Sequence, residues 1–109
     1  MSLTIEQRDT PTGPVLHLLG DLDYDQAPHL RRHLDTLLLR SDHCLLMNLS
    51  GLEFCDSSGI TALLAAYRHA RAADADFALT AVPPRTLRLL TLVGLDQVLT
   101  IHPHTDAHP

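Results

Sequence analysis

A chain of 109 residues is long enough for one domain with a modest core and too short for two. The formal net charge is −5 and the eight basic residues are all Arg. This argues against a nucleic-acid partner and removes every mechanism that needs a lysine amine: the phosphate-binding-loop NTPase, Schiff-base chemistry and the aspartate-phosphorylated response regulator. No apolar run approaches the roughly 18–20 residues of a bilayer span, and Met1–Asp9 lacks the basic flank and apolar centre of a signal peptide, so no membrane span and a cytoplasmic location are expected.

In chain order, Leu3 and Ile5 alternate with polar neighbours up to Arg8 and predict a short half-buried strand. Asp9–Pro14 is dense in turn formers and predicts a hairpin loop. Val15–Leu19 is the returning strand, stopped at Gly20. Gly20–Pro28 reads as an acidic loop carrying Asp21, Asp23 and Asp25. Leu30, Leu34, Leu37 and Leu38 then form one apolar stripe on a helix ended by Ser41-Asp42. Cys44–Leu49 is a nearly continuous apolar run, as expected of a central strand covered on both faces.

Ile60, Leu63, Leu64, Tyr67 and Ala70 give a second helical stripe, with Arg68 and Arg71 near the end where cations suit the helix dipole. Phe77–Val82 predicts a further strand, and Pro83-Pro84 opens a third helix whose buried face is Leu87 and Leu90. Gly94 before Leu95 fits a helix stop, and Val98–Ile101 a last short strand. The domain is expected over residues 1–102, with 103–109 as a flexible tail. The order β-β-α-β-α-β-α-β implies an α/β fold: a mixed, mostly parallel sheet of about five strands with an antiparallel edge and helices packed on it.

Several residues invite a reading as ligands. His29 and His33 are four apart on a predicted helix, but no third ligand is in evidence; they read as a solvated face, and His102, His104 and His108 as a polar tail. No metal site and no cofactor are expected. Cys44 and Cys55 read as reduced thiols, Cys55 as a small buried filler. Arg85 and Arg88 read as exposed helix charges.

The most informative stretch is Glu53–Ile60, EFCDSSGI, at the junction of a strand and a helix. If the second and third strands are parallel, the loop with Asp21, Asp23 and Asp25 shares one rim of the sheet with Asp56, Ser57 and Ser58, the rim at which open α/β sheets place their chemistry. A helix N-terminus has unpartnered N–H groups and a partial positive charge. A Ser or Asp there caps it, and a phosphate on a serine is equally at home. A nucleophilic serine would need a placed base; His17, His29 and His43 are the candidates to approach it in space, and nothing in the spacing demands that any of them does. Local physics does not choose between Ser57 and Ser58.

With GDLD upstream and VGL downstream, DSSGI in this register resembles the signature of the STAS domain family of bacterial anti-sigma factor antagonists, over nearly the whole chain. The resemblance implies that Ser57 is phosphorylated by a partner that is both serine kinase and anti-sigma factor. The unphosphorylated form would sequester that partner and free a sigma factor, and a PP2C-type phosphatase would reset the switch. It further implies a partner surface of Asp21, Leu22, Asp23, Asp56, Ser57, Ser58 and Gly59 on a binding protein that is not an enzyme. The alternative within the family is a scaffold or transporter-associated domain without a phosphorylation switch. Three departures stand out: Asp21 where the family more often has Glu, Asp74 where a glycine often ends the second helix, and no convincing helix after the last strand. The oligomeric state, monomer or weak dimer, is left open.

Overall fold

The computed structural model describes residues 2–102; the expectation for residues 103–109, His104 and His108 among them, lies outside the described residues. The order is β1 (Leu3–Thr10), β2 (Gly13–Leu22), α1 (Ala27–Asp35), β3 (Cys44–Cys55), α2 (Ser57–Ala72), β4 (Asp76–Thr80), α3 (Pro84–Leu92) and a 3-10 turn at Leu95–Gln97. The sheet runs β1-β2-β3-β4, with β1 antiparallel to β2 and the other pairs parallel. The expected mixed α/β architecture is present, with four strands where about five were expected. The predicted last strand shrinks to one bridge, Leu79 to Ile101. There the Leu79 N–H donates to the Thr100 carbonyl at 2.9 Å, and the His102 N–H to the Leu79 carbonyl at 2.8 Å.

The strands outrun their sequence-based limits. The hairpin turn is only Pro11-Thr12, since Thr10 already pairs with Gly13. Gly20 does not stop β2. It takes φ 103, a conformation that favours glycine, beside a register shift, and Asp21 and Leu22 continue the strand against Phe54 and Cys55. The acidic loop therefore reduces to Asp23–Gln26. The Asp23 carboxylate accepts from the Gln26 N–H at 3.0 Å, and Gln26 Oε1 accepts from the Leu3 N–H at 3.2 Å, which ties this loop to β1.

Parallel strands joined by right-handed crossovers and laid down in one direction receive their helices on one face. That face is built from Leu16, Leu18 and Leu22 of β2 and Leu45, Met47 and Leu49 of β3, all without accessible surface. Leu30 and Leu34 of α1, Ile60, Leu63 and Ala66 of α2, and Leu90 of α3 cover it. For this reason β3 is not covered on both faces, as its apolar run predicts: Leu46 and Asn48 remain half-buried. The helix α1 stops at Asp35, before the end of the leucine stripe, so Leu38 falls outside it and is 91% exposed. Leu87 likewise points out, and Thr86 takes the buried position expected of it. Gly94 ends α3 at φ 79 as expected, and Asp74 ends α2 at φ 56, a left-handed position that Asp tolerates better than most residues.

Candidate functional site

The junction between β3 and α2 is fastened to the end of β2. The Asp56 N–H donates to the Leu22 carbonyl at 3.4 Å, so the parallel pairing carries over into the first residue of the turn. Asp56, in an extended conformation, is the N-cap: its Oδ1 accepts from the Gly59 N–H at 3.0 Å, and its carbonyl accepts the first helical bond, from the Ile60 N–H, at 3.0 Å. Of the two kinds of cap the sequence permits, the carboxylate is the one used. Among the described residues the Ser57 and Ser58 N–H groups stay open at this end of the helix, two donors beside the positive end of the dipole.

Gly59 lets the helix approach. A Cβ built there would run into the Leu22 carbonyl oxygen and would lie 2.7 Å from Cys55 Sγ. The same contact buries Cys55, whose thiol is pushed up to about 12, first by burial and then by the neighbouring Asp56. At neutral pH it stays a protonated filler, as the sequence suggests. Cys44 is also free, half-buried and shifted upward by burial and by Asp76.

The rim expected from the sequence exists, with a changed cast. Ser57 is exposed in the first helical position, and its hydroxyl makes no hydrogen bond among the described residues; its carbonyl accepts from the Thr61 hydroxyl at 3.0 Å. Ser58 is half-buried and faces the other way, into a cleft of about 520 Å³ lined with Tyr24, Pro28 and Arg31 of the β2–α1 side. Leu22 has no accessible surface and Gly59 is buried, so both shape the rim from beneath and offer a partner no side chain. Asp21 is 4% exposed and sits in the strand. Asp23 is half-buried and holds its own loop, while Asp25 is exposed. Tyr24, 77% exposed beside them, was missed in the sequence because a lone aromatic in a polar loop carries no periodicity.

A family model described as "Mlab, STAS domain" matches residues 5–101. The chain belongs to the STAS domain family. This STAS domain is similar to the anti-sigma F factor antagonist of Paenibacillus polymyxa, with 29% identity over 104 residues that cover 94% of this chain and 88% of the relative. The solved structure of an anti-sigma factor antagonist from Mycobacterium paratuberculosis matches with a TM-score of 0.78 at 27% identity, covering 96% of this chain and 89% of that one. The Bacillus cell fate determinant SpoIIAA in its phosphorylated form shares the fold, with a TM-score of 0.68 at 23% identity over 96% of this chain and 95% of that one.

Of the candidate bases, His17 lies mid-sheet, bonded to Ser50 at 3.2 Å, and His43 precedes the opposite end of β3, where its Nδ1 accepts from the Arg40 N–H. His29 and His33 share α1, but among the described residues no group of three or more His, Cys, Asp or Glu could hold a metal. No helix among the described residues is long and apolar enough to cross a membrane.

Proposed function

We propose that this STAS domain is an anti-sigma factor antagonist switched by phosphorylation at Ser57. Its unphosphorylated form binds a serine-kinase anti-sigma factor and so frees a sigma factor; the phosphorylated form releases the kinase, and a PP2C-type phosphatase restores the first state. The observation that carries this reading is the division of labour at the helix start. Asp56 performs the capping, which leaves the exposed Ser57 hydroxyl without a structural duty. Ser58 is half-buried, and the greater exposure of Ser57 supports it as the acceptor. The names of the relatives and the phosphorylated form of SpoIIAA support the same reading.

The physical logic of the switch is electrostatic. A phosphoserine adds about −1.5 to −2 charges, and the open N–H groups of Ser57 and Ser58 give it a place without refolding the helix. A partner surface fitted to a neutral hydroxyl beside Asp56 would then bury an unpaired dianion. The loss is on the order of several kcal/mol, with each 1.4 kcal/mol worth about tenfold in affinity. Asp23 and Asp56 add like charge to the same rim, and Asp25 extends it.

The test is to incubate the chain with its cognate serine kinase and ATP and to map the phosphate by mass spectrometry. Phosphate on Ser57, lost in Ser57→Ala together with the switch in binding, is expected. Modification elsewhere, undiminished in Ser57→Ala, would overturn the site. A kinase bound equally well before and after phosphorylation would overturn the switch.

A further inference from the structure

Ser57 stands at the edge of an apolar surface rather than at its centre. Together with Ile60, Leu64, Leu89 and Val93 it lines a depression of about 300 Å³ between α2 and α3. Leu89 is also a wall of a larger groove, about 520 Å³, between the end of β3 and α3, bordered by Phe54, Pro84, Arg85, Arg88 and Leu92. One surface therefore runs from the switch serine across Leu89 to Phe54. It carries exposed apolar side chains, with Leu92 75%, Val93 60% and Phe54 51% accessible.

Its charge is unlike that of the rest of the chain. The protein has a net charge of −5, yet α3 carries Arg85 and Arg88 and no acidic residue, and the groove beside it sets these two guanidinium groups against the single carboxylate of Glu53. An exposed aromatic and two guanidinium groups among aliphatic side chains are the composition enriched at protein interfaces. The rim at Ser57 is also too small to serve alone, because a stable interface takes about 20–30 residues a side. The contact must continue past the helix start, and α3 is the flank that offers several contiguous apolar side chains. On the α1 side the cleft has Tyr24 as its one exposed aromatic, next to Asp25.

Resting on the reading of the chain as an antagonist, we propose that α3 and the groove beside it are the second half of the docking surface. Their occupant is a patch of the kinase partner in which apolar side chains fill the groove and carboxylates face Arg85 and Arg88. The two halves do different work. The α3 half holds the partner by apolar burial and charge, and the Ser57 half reads the phosphorylation state.

The experiment is calorimetric titration of the purified kinase that modifies Ser57 with the wild-type chain and with Leu92→Ser, Arg88→Glu and Leu38→Ser, each checked for an unchanged melting temperature. Leu38 is exposed near the hairpin end of the sheet, far from α3, and serves as the control. Leu92→Ser and Arg88→Glu are expected to weaken binding tenfold or more, Arg88→Glu also flattening its salt dependence, with Leu38→Ser unchanged. Wild-type affinity in both α3 variants, with the wild-type chain bound, overturns the α3 surface and leaves the antagonist reading standing. A wild-type chain that the kinase does not bind overturns both.

Discussion

Replacing Gly59 by Ala sets two physical effects against each other at the start of α2. Ala is the better helix former, by up to about 1 kcal/mol. The added methyl, however, would collide with the Leu22 carbonyl oxygen, lie 2.7 Å from Cys55 Sγ and 3.1 Å from the Leu22 carbonyl carbon. Two of these three neighbours are backbone atoms of a strand bonded on both sides, so the helix start must move away. Overpacking of this kind costs about 1–3 kcal/mol, and the movement also stretches the 3.4 Å bond from Asp56 N–H to Leu22. The helix gain is small at the third helical position, so a net loss of about 1–2 kcal/mol is expected. For a domain of this size that corresponds to a fall of roughly 4 °C or more in the melting temperature. Urea denaturation followed by far-ultraviolet circular dichroism measures it without the tryptophan this chain lacks. A Gly59→Ala protein as stable as the wild type, or more so, would refute the close approach and with it the account of why a glycine stands here.

Three further outcomes follow from the same geometry. Asp56→Ala should lose about 0.5–2 kcal/mol in the same denaturation assay, and Asp56→Asn most of that loss should spare, because an amide oxygen still caps. Burial, and then the charge of His29, hold the His33 imidazole below its usual value of 6.5. Unfolding therefore takes up a proton, the contribution is intact above about pH 6.5 and is lost as pH falls below it. Melting temperatures should drop on acidification from neutral pH, and His33→Gln should remove part of that drop; an unchanged profile would count against the burial of this ring. The Cys55 thiol, pushed up to about 12, should resist Ellman's reagent at pH 8 until urea unfolds the chain, whereas rapid reaction of both thiols in the folded protein would contradict the packing beneath α2.

The order of elements was legible because each depends on a period: the stripes of α1 and α2 and the alternation of β1 are properties of the chain alone. Strand ends were not, since they depend on neighbours. Gly20 reads as a stop, yet in the presence of β1 and β3 it becomes a bulge that lets Asp21 and Leu22 continue pairing. Ser50, Gly51 and Glu53 break the apolar run of β3, while the strand goes on because β2 lies alongside. At the candidate site the motif itself was visible, and so was the shared rim once parallel pairing was assumed. The identity of the cap, the burial of Leu22 and the different exposures of Ser57 and Ser58 required three dimensions. The apolar outer face of α3 was hidden for a related reason: Leu87, Leu92 and Val93 look like core until Thr86 and Leu90 are seen to fill it, with Leu89 packed at its edge.

The short segment at Ile101 has a bearing on self-association. By occupying both main-chain groups of Leu79, Thr100 and His102 close off the C-terminal part of the last strand to a foreign chain. The opposite border, β1, is open among the described residues but carries Glu6, Arg8 and Asp9 in exposed positions, which discourage strand addition. The sheet is thus poorly suited to growing sideways into filaments, because the backbone donors and acceptors at its borders are either occupied or guarded by charge.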